Sequence, residues 1–318
     1  MKLCCLTLML ISHSKLVQSS SECDIKSRKT ISFNTSGLVK HPWKQAEDAE
    51  CRDVVVMFAE ESSLPMLALV SYPRSGNSWL RQLLEAASGV FTGSHEQDLS
   101  MLHYFPGELH LSDGSTLVQK THYHYRLVDL SSPSYVEEWK KEHMQLFNSR
   151  GILLIRNPYH ALVSMWHFYN SGWHTTSAEF SEFQTDKFRK FVIRDIEFWL
   201  ETIEDWVKMS DELHVVFYEE LVDNTDKELR KLLEFLDLEV NETRMICISK
   251  NDLSVLRRVR TEQFADPFTK HQRNIIDKHI DEADKLLKKN TGRRLPLHLY
   301  DFYSKGGSLP AKQTRNMK

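Results

Sequence analysis

Apolar positions along this chain follow two alternating periods. Residues 66–72 (MLALVSY), 151–156 (GILLIR) and 213–218 (LHVVFY) are short, almost continuously apolar runs. Runs of that length and continuity predict strands buried on both faces. Residues 116–121 (TLVQKT) read as a further, more polar strand, and a short strand is expected within 54–58. Between them the period changes to that of a helix. Leu80, Leu83, Leu84 and Ala87 share one face of a helix that Gly89 stops. Leu162, Met165, Trp166 and Tyr169 form the stripe of a helix opening after Pro158. Further helices are predicted over 131–147, 188–209, 225–236 and 269–287, and residues 90–114 read as loops.

Strands that alternate with helices predict an α/β fold with a central, mostly parallel sheet flanked by helices in three layers. Ligands of such folds bind beyond the carboxyl ends of the strands, so the strand-to-helix loops are where chemistry is sought. The main domain is expected over residues 63–300, with a flexible tail at 301–318. Residues 23–62, polar and weakly periodic, read as a stem. Residues 1–22 combine Lys2, an apolar run over 3–11 and small residues at 19–21. That is the pattern of a signal peptide or short membrane anchor, shorter than the ~20 apolar residues of a spanning helix.

The first such loop is Tyr72-Pro73-Arg74-Ser75-Gly76-Asn77-Ser78-Trp79, between strand and helix. A helix amino terminus offers unpaired N–H groups and the positive end of its dipole to an anion. Gly76 permits close backbone approach, Arg74 supplies a forked cation, and Ser75 and Ser78 supply hydroxyls. A Walker loop would carry Gly at Ser71 and Lys at Asn77. Without that lysine the loop suits a 5′ anion better than an ATP tail. An ordinary Pro-Gly turn is the bland alternative.

A second loop, Arg156-Asn157-Pro158, also ends a buried strand and opens a helix, which carries Ser164 two turns on. Arg156 and Ser164 together could hold a second phosphate; capping by Asn157 and Pro158 alone is the structural alternative. The third segment is Lys120-Thr121-His122. Alternation puts Lys120 and His122 on one strand face with Thr121 on the other. A histidine there can take a proton from an alcohol, and the lysine can offset charge on a transferred group. His124 lies on the same face and is the alternative base.

The formal charge of −3, from 41 basic and 44 acidic residues, lacks the basic excess of a nucleic-acid binder. No His/Cys group has metal-ligand spacing, so no metal is expected. Asn34-Thr35-Ser36 and Asn241-Glu242-Thr243 are N-glycosylation sequences. Outside the leader stand Cys23, Cys51 and Cys247, enough for one disulfide. Cys51 with Cys247 is the first choice because it would tie the stem to the domain; three free thiols are the alternative.

In this order the three motifs resemble the sulfotransferases that use 3′-phosphoadenosine 5′-phosphosulfate (PAPS). YPRSGNSWL looks like their 5′-phosphosulfate loop, with Trp79 in place of the residue that stacks on adenine. IRNPYHALVSMWHF looks like their 3′-phosphate site, and QKTH like the Lys-x-His segment whose His is the base. FYEEL, with Tyr218, is similar to a further nucleotide-contacting strand end. Arg257-Arg258 stands where the family has a late 3′-phosphate clamp, although Val259 replaces the usual Gly. Over about residues 64–297 the likeness is greatest to the WSC-domain-containing group; five cysteines could not supply the WSC modules themselves.

The resemblance implies a P-loop-like fold and sulfuryl transfer from PAPS to a hydroxyl, with a sugar acceptor. It also implies residence in the secretory pathway, in the Golgi lumen. His122 and Lys120 would be catalytic. Arg74, Ser75, Gly76, Asn77, Ser78, Trp79, Arg156, Ser164, Tyr218, Arg257 and Arg258 would hold the donor. Residues 170–185, with Trp173 and His174, would form an acceptor-side loop. The rival readings are a non-catalytic relative that binds nucleotide or glycan, and a small-molecule kinase.

Overall fold

A computed structural model describes residues 30–110, 113–122, 133–171, 178–251, 253 and 266–303. Strands β1 (Val39–Lys40) and β2 (Val56–Met57) pair antiparallel on either side of the short helix α1 (Ala49–Arg52). The central sheet holds β3 (Ala68–Ser71), β4 (Gly93–Ser94), β5 (Gln119–Thr121), β6 (Arg150–Ile155) and β7 (Glu212–Phe217). Its order is β4-β5-β3-β6-β7, and every pairing in it is parallel. After β3 the chain builds β4 and β5 on one side, then crosses to β6 and β7 on the other. The carboxyl end of β3 is therefore the topological switch point, where an open parallel sheet leaves a crevice.

The strand alternation sorts side chains into two cores. Ala68, Val70, Leu153, Ile155, Val215 and Phe217 pack on one face against α4 (Pro158–Ser171), α5 (Asp186–Met209) and α9 (Lys270–Thr291). Leu69, Ile152, Leu154 and Val216 pack on the other against α2 (Asn77–Ser88), α7 (Thr225–Phe235) and α8 (Glu242–Lys250). Two further helices complete the layers: α3 (Pro133–Leu146) precedes β6, and the short α6 (Tyr218–Asp223) follows β7 directly. This is the three-layer arrangement expected from the alternating pattern.

Boundaries follow local chemistry. Thr269 and Gln272 form a reciprocal cap at the start of α9. Gly89 ends α2 at φ 81°, and a Cβ there would come within 2.6 Å of the Arg244 guanidinium. That guanidinium donates to the carbonyls of Ala86 (3.0 Å) and Val55 (2.8 Å), so α8 caps the end of α2. Beside it the structure joins Cys51 of α1 to Cys247 of α8. Trp43, Cys51, Val54 and Ala59 are buried in the core around α2. The described part of the expected stem, residues 30–62, thus lies against the domain.

Candidate active site

Three loops meet at the switch point. The first runs from Ser71 to Asn77 at the end of β3. Arg74 takes a left-handed backbone, φ 65°, and Gly76 follows at φ 100°. A left-handed conformation costs a non-glycine residue about 1–2 kcal/mol, so the loop holds Arg74 there against its preference. Gly76 cannot be replaced without displacement, because a Cβ would meet the Tyr218 ring at 2.6 Å. The loop feeds the twelve-residue α2, whose first N–H groups have no intrahelical partner. Ser75 is fully buried, and its hydroxyl has no hydrogen-bond partner among the described residues. A buried polar group left open in this way costs free energy unless a ligand completes it. Asn77, at the Walker lysine position, turns inward and donates to the Leu69 carbonyl and the Ser71 hydroxyl, each at 3.2 Å. Its side chain braces the loop, and its backbone N–H remains at the helix start. Ser78 and Trp79 are half-buried on the first turn.

The second loop reaches the first through its cation. The Arg156 guanidinium donates to the Arg74 carbonyl at 2.8 Å and lies over the Tyr218 ring at 4.5 Å. Tyr218 also meets Trp79 edge-on, with ring centroids 5.8 Å apart. It is the first residue of α6 rather than the last of a strand. Arg74 in turn approaches the Ser164 hydroxyl at 3.5 Å and lies 5.4 Å from the Phe168 ring. Arg74, Gly76, Trp79, Arg156, Ser164 and Tyr218 are thereby brought into one cluster. Behind them, the Glu219 carboxyl accepts from the Asn157 N–H at 3.0 Å. Burial raises its pKa to about 6, against the opposing effects of that bond and of Arg156.

The third segment lies beside the first because β5 pairs with β3 up to Val70↔Thr121. His122 Nδ1 is 3.1 Å from the Ser71 carbonyl. The Ser71 hydroxyl is 3.4 Å from the same nitrogen; a neutral ring protonated at Nδ1 donates to the carbonyl, which only accepts, and carries its lone pair on Nε2. Lys120 is 8% exposed and stands between two carboxylates, 3.8 Å from Glu96 and 3.7 Å from Glu108. Thr121 faces the opposite way, 3.3 Å from His143 Nε2. The strand therefore does split as its alternation requires. Burial lowers the His143 pKa to about 4, with the neighbouring His95 acting in the same direction.

Glu96, Glu108 and Arg81 gave no sign of themselves in the sequence. Arg81 is fully buried; it donates to Glu108 at 2.8 Å and to Thr92 at 2.8 Å, and lies 3.8 Å from the Phe105 ring. Arg257, Arg258, His124, Trp173, His174 and Cys23 lie outside the described residues. Among the described residues no group of three or more His, Cys, Asp or Glu is placed to hold a metal ion.

An anion-ready loop at the switch point of an all-parallel sheet, with a second cationic loop locked to it, defines an α/β protein of the P-loop-like class. Residues 64–264 match the family described as "Sulfotransferase domain". The chain belongs to the sulfotransferase family. It is 34% identical over 217 residues to a WSCD family member of Drosophila melanogaster, a match covering 66% of this chain and 63% of that one. A WSCD family member of Aedes aegypti is 31% identical over 223 residues, covering 69% and 65% respectively. The match thus spans less than two thirds of these relatives' length. Among solved structures, a mouse sulfotransferase complexed with PAP superposes with a TM-score of 0.42 at 20% identity, covering 73% of this chain and 87% of that one.

Proposed function

We propose that this chain transfers a sulfuryl group from PAPS to a hydroxyl on a glycan. The observation that carries the reading is the paired anion grip: the open Ser75 hydroxyl and Arg74 at the start of α2, with Arg156 and Ser164 locked to them. The N–H groups of α2, Ser75 and Arg74 suit a 5′ phosphosulfate, and Arg156 with Ser164 suits a 3′ phosphate. Trp79 and Tyr218 offer aromatic surface for the adenine. PAPS supplies an activated S–O bond. The acceptor oxygen forms a new bond to sulfur as the bond from sulfur to the 5′ phosphate breaks, and adenosine 3′,5′-bisphosphate (PAP) leaves. His122 Nε2 takes the acceptor proton, and Lys120 offsets negative charge. Catalysis of this kind is positioning and electrostatics, with no covalent intermediate.

PAP is expected to raise the melting temperature far more than AMP or ATP at equal concentration, because only PAP engages both grips. A ligand at 100 times its Kd adds about 2.7 kcal/mol of apparent stability. Equal shifts with AMP would remove the 3′-phosphate role from Arg156 and Ser164.

The buried Cys51–Cys247 bridge supports residence in an oxidising compartment, and the proposed site is the Golgi lumen. Asn241 is exposed at the start of α8, and Asn34 lies in a turn with its Oδ1 2.9 Å from the Ser36 hydroxyl. Protein from secretory cells is expected to gain gel mobility on glycosidase treatment; an unshifted cytosolic product would reject the compartment. No helix among the described residues is long and apolar enough to cross a membrane.

A further inference from the structure

The carboxylate of Glu96 occupies the place where a strand should continue. β4 ends at Ser94, in register with Lys120, and the next rung is made by the His95 N–H to the Lys120 carbonyl at 2.8 Å. One rung further on, the His122 N–H meets no backbone carbonyl of β4. It donates instead to Glu96 Oε1 at 2.5 Å. The other oxygen, Oε2, lies 3.8 Å from Lys120 Nζ and 3.4 Å from the Ser94 hydroxyl. One side chain therefore holds the backbone of His122 and the ammonium of Lys120 together.

The charge around it is balanced in pairs. Glu108 is fully buried, pinned by Arg81 on one side and 3.7 Å from Lys120 on the other. Arg81, Lys120, Glu96 and Glu108 carry two positive and two negative formal charges, so the set sums to zero. The titratable groups that face Glu96 are Lys120 and His122 from β5 and its end, and His143 from α3. The Ser71 carbonyl and hydroxyl lie at His122 Nδ1, and this carboxylate lies at its N–H. Burial alone would raise the Glu96 carboxyl, but the charge of His122 in its protonated form, the charge of Lys120 and the His122 amide hold it below its ordinary value. It is therefore ionised at neutral pH.

We propose that Glu96 is a positioning residue for sulfuryl transfer, which fixes the base His122 through its main-chain N–H and stabilises the imidazolium formed when His122 accepts the acceptor's proton. The proposal rests on the reading of His122 as the base. Its physical content is linkage. A fixed negative charge beside an imidazole favours the protonated ring, so the carboxylate raises the basicity of His122. Its hydrogen bond is made to the main chain of His122, while Nδ1 faces Ser71.

The test separates charge from structure. Glu96→Gln keeps a carbonyl oxygen for the His122 N–H and removes the charge. In the isotope-labelled full chain with PAP bound, the NMR titration midpoint of His122 is expected to fall by about one unit, a tenfold change in proton affinity. In turnover assays kcat is expected to fall about tenfold, with the acid limb of the pH profile moved to lower pH and PAP affinity unchanged. Glu96→Asp, which retains the charge, is expected to restore the midpoint. A His122 midpoint unmoved in Glu96→Gln overturns the proposal, and a kcat loss with that unmoved midpoint assigns Glu96 a purely structural role, which also overturns it. If the unsubstituted chain transfers no sulfuryl group at all, it is the enzyme reading that fails. The titration, which needs no turnover, still decides whether Glu96 tunes His122.

Discussion

Replacing His122 by alanine is expected to lower sulfuryl transfer about 10²–10⁴-fold, the usual worth of a general base, with PAP binding almost unchanged. The split follows from position. His122 sits at the end of β5, one rung past the pairing with β3, with its Nδ1 3.1 Å from the Ser71 carbonyl. It touches the β3 end from which the proposed phosphosulfate loop departs, while the proposed donor grips are contributed by Arg74, Ser75, Arg156 and Ser164. Loss of the imidazole therefore removes the proton acceptor and leaves the nucleotide cradle standing. His122→Gln, which retains polarity without basicity, should be nearly as slow. Arg74→Ala should differ in kind, weakening donor binding and turnover together, because a residue that holds the donor acts in the ground state as well. Initial rates at saturating PAPS, with PAP affinity measured on the same preparations, distinguish the two. A His122→Ala variant with near-normal turnover, beside an inactive His124→Ala, would move the base two residues along the chain.

Glu108→Gln is expected to destabilise the protein by about 3–5 kcal/mol, the cost of breaking a buried ion pair by removing one partner. Arg81 and Glu108 are both completely buried and meet at 2.8 Å. The remaining Arg81 donors go to Thr92 and its face to Phe105; the buried Glu85 carboxylate, bound to the Thr92 hydroxyl, is the other negative charge near the guanidinium and accepts no hydrogen bond from it. Glu108 also accepts from the Asp98 N–H at 3.2 Å and faces Lys120. The substitution thus leaves one buried cation short of its partner and loosens a second at the site. Urea denaturation measures it. A loss below about 1 kcal/mol would mean that water or rearrangement compensates a charge that the fold buries completely.

The frame of the molecule was legible because its strands are written in hydrophobic continuity. MLALVSY and GILLIR became β3 and β6, and the stop at Gly89 fell where the α2 cap lies. The two strand-to-helix loops proposed as anion grips were legible as loops for the same reason: each follows a buried strand and precedes an amphipathic helix. β4 was not. Gly93 and Ser94 are buried by what packs over them, not by their own hydrophobicity, and read as part of a loop. Missing β4 meant missing Glu96, whose partner His122 is 26 residues away and becomes a neighbour only when β4 pairs with β5. The α8 segment ETRMICISK carries a weak stripe and buries only Met245 and Cys247. It is held by the bridge to Cys51 and by the Arg244 bonds to Ala86 and Val55, all made with distant parts of the chain. Side-chain networks that close across sheet edges leave no periodic trace in sequence.

The central claim is sulfuryl transfer from PAPS, and its most direct test is a glycan acceptor screen with PAPS radiolabelled at sulfur, run with the native chain and with His122→Ala in parallel. Label is expected on at least one hydroxyl-bearing glycan with the native chain, with stoichiometric release of PAP, and label reduced about a hundredfold or more with His122→Ala. PAP binding by the native chain without label on any glycan would contradict the claim and leave a nucleotide-binding protein that does not transfer.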